Sequence, residues 1–151
     1  MERVAKMVKL AILVGILVQT LLPDVLPIMS DPSALRLAGA ALFSAGLLVA
    51  IVARIQLGNN WSDIEAGGVK ANQNLVASGI YRSVRHPIYA GDLLLLFGLE
   101  LALNSWLMLG MFPLAAVVYW QTLREERFLL RSLPGYADYC SSTYRFIPFV
   151  L

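Results

Sequence analysis

The residues in this 151-residue chain that can do chemistry are few and lie close together. Residues 75 to 91 read Leu-Val-Ala-Ser-Gly-Ile-Tyr-Arg-Ser-Val-Arg-His-Pro-Ile-Tyr-Ala-Gly and hold the only histidine, His86. An acidic pair, Glu125-Glu126, follows further on. Tyrosine faces can stabilise a cation, a carboxylate can receive an ammonium or hydroxyl groups, and the free N–H groups at a helix start suit an anion. Each residue also has a plainer reading. Arg82 and Arg85 fit membrane-edge anchors, Tyr81 and Tyr89 interfacial aromatics, and Glu125-Glu126 a solvated face with Arg127. Against that stands the convergence of Tyr81, Arg85, His86 and Tyr89 within nine residues. They lie beside Gly79 and Gly91, where backbone can approach a ligand.

Several chemistries are poorly served. One His and one Cys, Cys140, make a poor ligand set, so no metal is expected. The lone cysteine excludes an internal disulfide framework and fits a space-filling role. Ser78, Ser83 and Asp92 near His86 supply the parts of a hydrolase without a nucleophile elbow or oxyanion hole. No phosphate loop or dinucleotide fingerprint is present. A net charge of +2 is too small to argue for nucleic acid.

The elements that must position these residues are apolar. Hydrophobic residues make up 58% of the chain and charged residues 15%, with a mean hydropathy of +0.68. A soluble domain carries about 45–50% apolar and about 25% charged residues. The apolar residues come in blocks, which predicts an all-α integral membrane protein with about four transmembrane helices, spanning 8–26, 34–55, 87–103 and 106–122. The basic start, Glu2 to Lys9, resembles a signal peptide, but Pro23-Asp24 stands where a cleavage site would, so a retained first helix is expected. Ser30-Asp31-Pro32-Ser33 marks a helix start, and Gly39, Ala40, Ser44 and Gly46 give the second span a small-residue surface for helix packing. The polar connection of about 25 residues from 56 to 80, with Trp61, Gly67-Gly68 and Asn72-Gln73-Asn74, is the kind of long loop that usually carries function.

Pro87 suits the first turn of the third span, Asn104-Ser105 a tight turn, and Pro113 a kink in the fourth. The third and fourth spans form a short helical hairpin. Arg124 to Arg131 continues it amphipathically until Leu133-Pro134-Gly135-Tyr136, and a C-terminal helix and aromatic tail follow. With both termini on one side, eleven of the twelve basic residues share that side and only Arg36 lies opposite, which predicts cytoplasmic termini. Asp92 and Glu100 are carboxylates inside the third span and so candidates for structural or substrate-facing roles. The whole of 1–151 reads as one domain.

The pattern Leu75-Val76-x-x-Gly79-x-Tyr81-x-x-x-Arg85-His86-Pro87-x-Tyr89-x-Gly91 resembles the signature of the isoprenylcysteine carboxyl methyltransferase family, whose Arg-His-Pro-x-Tyr-x-Gly core is shared by the phospholipid methyltransferases. A second block is similar too: Glu125-Glu126, Leu129, Gly135-Tyr136-x-x-Tyr139 and Arg145-Phe146-Ile147-Pro148. So is Leu57-Gly58-x-x-Trp61-Ser62; together these cover about residues 57 to 148. The resemblance implies S-adenosylmethionine as cofactor, held on the cytoplasmic side by Gln73, Asn74, Leu75, Val76, Tyr81, His86, Pro87, Ile88, Tyr89, Glu125 and Glu126. It implies a lipophilic small-molecule or lipid-modified acceptor among membrane lipids. Carboxyl O-methylation of an isoprenylcysteine-like acid is the first reading and N-methylation of a phospholipid headgroup the alternative. A membrane scaffold with a vestigial motif is the non-enzymatic one. In-line methyl transfer needs alignment and exclusion of water rather than an obligatory acid or base, so no catalytic residue is assigned. In prenylcysteine-specific enzymes a basic residue four positions before the first glutamate is associated with the substrate carboxylate. Here that position is Gln121, with Arg124 turned to another helix face.

Overall fold

The computed structural model describes residues 14, 15, 18, 19, 21, 22, 26–60 and 74–147. Gln73, Trp61, Gly67-Gly68, Asn72, Pro148 and most of the expected first span lie outside these. Residues 14, 15, 18, 19 and 21 are helical. The remaining elements are α1 (Ser33–Leu57), α2 (Pro87–Ala102), α3 (Met111–Ser132) and α4 (Tyr136–Ser142). Single 3-10 turns stand at Gly58–Asn60, Gly79–Arg82 and Trp106–Gly110. Among the described residues there is no strand, only the isolated bridges Pro27–Ser105 and Val84–Tyr144. The fold is all-α.

Asp31 tethers the start of α1, accepting hydrogen bonds from the Ser33 hydroxyl at 2.8 Å and amide at 3.4 Å. Over 25 residues α1 rises about 37 Å, more than the ~30 Å hydrocarbon core of a bilayer. This helix and the continuous segment Trp106–Ser132 are long and apolar enough to cross a membrane. α2, with 16 residues, rises only about 24 Å. The outer surface is apolar: Leu37, Leu48, Ile55 and Phe112 are each more than 60% exposed. Such a surface is at rest in lipid and not in water.

α2 is held mainly by α1, along a seam of glycines spaced by seven. Gly39 lies on Gly98 and Ala102, and Gly46 on Gly91 and Leu95. In each case an added Cβ would overlap the facing backbone. Ala53, seven residues beyond Gly46, is fully buried. Helices in lipid gain nothing from burying hydrocarbon as such, so close backbone contact between small residues is what draws them together. The expected packing face at Gly39 and Gly46 is therefore present. Gly91 has a different role from the one its motif suggested: its open side is filled by Ala50 and the Gly46 carbonyl, not by a ligand.

The turn after α2 is built around Asn104, which is buried and takes a left-handed backbone (φ +54°). Its side-chain oxygen accepts from Ile28 and Met29 amides, each at 3.2 Å, and its amide nitrogen donates to the Met29 carbonyl at 2.9 Å. Pro113 falls in the first turn of α3, the part of a helix that best tolerates proline. The chain changes from a 3-10 to an α-helix just before it. α3 then runs unbroken past residue 122 to Ser132, carrying Glu125 and Glu126 on its final turns. Gly135 (φ +79°) turns the chain into α4. The two legs of the α2–α3 hairpin touch little, and a cavity of about 250 Å³ lies between them.

Candidate functional site

At the His86 end of the bundle the chain brings three segments together. Residues 83–86 run parallel to residues 144–145. Tyr144 N–H donates to the Ser83 carbonyl (2.9 Å), Arg85 N–H to the Tyr144 carbonyl (2.8 Å) and His86 N–H to the Arg145 carbonyl (3.0 Å). This ladder clamps the C-terminal segment to the start of α2. The last turns of α3 supply the third side.

Glu126 is the centre of the clamp. Arg85 Nε donates to its Oε1 at 2.8 Å, and Arg145 Nη2 to its Oε2 at 2.7 Å, with Arg145 Nε at 3.1 Å from both oxygens. His86 Nε2 lies 3.3 Å from Oε1. The Glu126 side chain is 8% exposed and that of Arg85 9%. Arg85 also donates to the carbonyls of Cys140 and Thr143 and to the Thr143 hydroxyl. The hydrogen bonds from Arg145 to Glu126 hold its guanidinium pKa above the usual value. Two arginines and four oxygen lone pairs match well, so this carboxylate is committed within the protein.

Glu125, one residue earlier and so about 100° around the helix, faces elsewhere. Its Oε1 accepts from the Tyr89 hydroxyl at 2.6 Å and from Gln121 Nε2 at 3.4 Å. Gln121 Nε2 also donates to the Tyr89 hydroxyl at 3.2 Å. Among the described residues Glu125 Oε2 has only His86 Nδ1 beside it, at 3.9 Å. Its side chain is 19% exposed. Glu125 thus keeps acceptor capacity that Glu126 lacks. Around it stand aromatic rings: His86 stacks on Tyr89 with centroids 5.9 Å apart, and Phe146 approaches His86 at 6.0 Å and Tyr119 at 6.3 Å.

Of the residues singled out in the sequence, His86, Tyr89, Glu125 and Glu126 meet in this cluster, with Pro87 and Ile88 forming the first turn of α2 between them. Tyr81 is buried beside it. Its carbonyl accepts from the Tyr139 hydroxyl at 2.7 Å, and its 3-10 turn is tied to α1 where Ile80 N–H donates to Gln56 Oε1 at 2.8 Å. Gly79 (φ +61°) lies against that Gln56 side chain. Asn74 is exposed and its N–H donates to Asn60, while Leu75 sits beside Gly135. Arg145, Phe146, Tyr119 and Thr143 belong to the cluster without having been singled out as site residues. The sequence signal for the first two was their place in the Arg-Phe-Ile-Pro block. Arg124 stacks on Trp120, its guanidinium 4.7 Å from the ring. Among the described residues no three His, Cys, Asp or Glu side chains are grouped to hold a metal.

The helices, the motif and this cluster together have the layout of a known class of membrane protein. The family model described as phospholipid methyltransferase matches residues 35–134, so the chain belongs to the phospholipid methyltransferase family. Two curated relatives are similar over this region. One is the cobalt-zinc-cadmium resistance protein CzcN of Cupriavidus metallidurans, 35% identical over 109 residues, which are 71% of this chain and 49% of that protein. The other is the nickel-cobalt-cadmium resistance protein NccN of Alcaligenes xylosoxydans xylosoxydans, 32% identical over 111 residues, 72% of this chain and 51% of that protein. The chain spans about half the length of these relatives. Among solved structures it is similar to the eukaryotic intramembrane Ras methyltransferase ICMT (isoprenylcysteine carboxyl methyltransferase). The TM-score is 0.65 at 27% identity, covering 77% of this chain and 43% of that one.

Proposed function

We propose that the chain forms the cofactor-binding and methyl-transferring part of a membrane methyltransferase that uses S-adenosylmethionine and acts on a lipophilic acceptor. The observation that carries this reading is the position of Glu125. A carboxylate with an acceptor oxygen that makes no hydrogen bond among the described residues faces the aromatic start of α2, while its neighbour Glu126 locks that start in place.

The residues fit the cofactor. Its ammonium or ribose hydroxyls need an acceptor, which Glu125 offers. Its sulfonium suits the faces of Tyr89 and Phe146, and its carboxylate the first-turn amide of Ile88, which has no partner four residues back in the helix. Gln73, Asn74, Leu75 and Val76, with Tyr81, complete the proposed pocket on the loop side. When bound, the cofactor supplies an electrophilic methyl group. The protein's part is to orient the acceptor and keep water away, which the membrane and the Phe146–Tyr119 pair serve. In this reading the chain crosses the membrane about four times as a single domain, with both termini and the cluster on the cytoplasmic side. Eleven of twelve basic residues on that side support it.

For the acceptor, the likeness to ICMT supports an isoprenylcysteine-like carboxylate. A second reading, a phospholipid amine, is favoured by Gln121. Its amide is committed to Tyr89 and Glu125, and Arg124 is drawn off onto Trp120. Among the described residues neither position 121 nor Arg124 therefore offers a free cation to a substrate carboxylate.

Calorimetry with S-adenosylhomocysteine on the full chain in detergent tests the pocket. The parent is expected to bind saturably, and His86→Ala and Glu125→Ala to bind at least tenfold more weakly, about 1.4 kcal/mol. Equal affinity in both variants refutes the assignment. Labelled cofactor supplied to membranes containing each acceptor separates the two chemistries: label only in phosphatidylethanolamine derivatives rules out the carboxylate reading.

A further inference from the structure

The cavity between the legs of the α2–α3 hairpin lies away from the Glu125 cluster. Glu100, on its wall, stands eleven residues beyond Tyr89 on α2, about 16 Å along the helix. At about 250 Å³ the cavity is far larger than the ~10–15 Å³ that one water needs. Leu96, Leu107, Met111 and Leu114 give it an apolar lining, and among the described residues Gln19 and Glu100 are the polar side chains in it.

Gln19 is 4% exposed, and its Nε2 donates to Glu100 Oε2 at 2.8 Å. That pairing leaves Gln19 Oε1 and Glu100 Oε1 without a hydrogen bond among the described residues, and Glu100 meets no cation among them. Both unused atoms are acceptors, so an occupant must bring donors. An occupant with a positive charge gains most, because an unpaired carboxylate in apolar surroundings is costly. A phosphate or carboxylate head meets the Glu100 charge and is disfavoured. The rest of the wall suits hydrocarbon, and Leu107, 45% exposed, opens it towards lipid.

We infer that this cavity binds the ammonium head of a lipophilic amine that carries no phosphate, with its chain along Leu96, Met111 and Leu114. The site is independent of the methyl-transfer reading, since none of its residues belongs to that cluster.

The test is equilibrium binding of dodecylamine to the full chain in phosphatidylcholine nanodiscs at pH 7, with empty discs subtracted. Amines of this kind have a pKa near 10 and are protonated there. Saturable binding with one amine per chain is expected, with dodecanoate and dodecanol at least tenfold weaker. Glu100→Gln keeps the shape and the contact with Gln19, and should weaken dodecylamine at least tenfold. Leu114→Trp fills the cavity and should abolish saturable binding. Thermal unfolding of each variant confirms that it is folded. Non-saturable binding to the parent, dodecanoate or dodecanol binding as well as the amine, or an unchanged affinity in Glu100→Gln overturns the proposal.

Discussion

α2 is held at two places built from opposite materials. Along its length the glycine seam with α1 works by shape alone, with no charge and no side chain beyond a methyl at the closest points. At its His86 end the clamp on Glu126 works by charge, with two arginines, a histidine and a short backbone ladder. The difference follows from the surroundings. In hydrocarbon a close backbone fit brings helices together at no desolvation cost, whereas a buried ion pair is tolerated only where every lone pair and N–H finds a partner. The seam therefore fixes where α2 lies, and the clamp fixes how its first turn presents Tyr89 and His86 to Glu125.

The comparison breaks most visibly at Glu126. Its removal leaves Arg85 and Arg145 facing each other without their shared carboxylate, a loss of about 3–5 kcal/mol for a buried pair. Glu126→Ala should therefore lower the thermal midpoint in detergent more than any other change at this end. Removing Arg145 alone should cost less, because Arg85 still pairs with Glu126. If Glu126→Ala and Arg145→Ala have equal midpoints, Glu126 is not the hub.

Next in size comes the seam. A side chain at Gly98 would enter the backbone of Phe43 and the Gly39 carbonyl, so Gly98→Val should destabilise by about 1–3 kcal/mol or more. Gly110, with nothing near its open side, is the control, and Gly110→Ala should leave the midpoint unchanged or slightly raised. Matching losses in the two variants would remove the seam as an explanation of how α2 is held.

These two regions were unequally legible in the sequence. Helix positions were clear: Pro87 opens α2 as its missing N–H suggests, the limits of α1 agree within two residues, and the chain continues helically through Glu125-Glu126. The meeting of His86, Tyr89, Glu125 and Glu126 was legible only through the family resemblance, since residues nearly forty positions apart have no local signal. Half of the seam was legible too, because small residues in a lipid-facing block point to packing. Its other half was not. Gly91 sits in the Arg-His-Pro-x-Tyr-x-Gly motif and Gly98 in a leucine run, and their seven-residue spacing matters only once α1 lies antiparallel to them. The division of labour between Glu125 and Glu126 was likewise hidden, because two adjacent glutamates differ only in which side of α3 they face. Arg85 read as an anchor at the membrane edge and is instead among the most fully hydrogen-bonded side chains described.

The smallest expected effect sharpens the clamp's outer edge. Tyr81, Tyr136 and Tyr139 pack together where α4 meets the turn before α2. Burial pushes the Tyr81 hydroxyl up to about 12, with Arg54 acting weakly in the other direction, and raises Tyr136 and Tyr139 further. A tyrosine ionises near 10 in the unfolded chain. The folded state holds its proton more tightly, so the stabilisation is complete below pH 10 and is lost as pH rises from about 10 towards 12. The effect is on the order of 1 kcal/mol for Tyr81, a fall of about 2–4 °C in the midpoint over that window. Tyr81→Phe should remove its share of the fall, because its hydroxyl makes no hydrogen bond among the described residues. The glycine seam contains no group that titrates there. A stability curve equally steep in parent and Tyr81→Phe would place the alkaline sensitivity elsewhere and detach Tyr81 from the clamp.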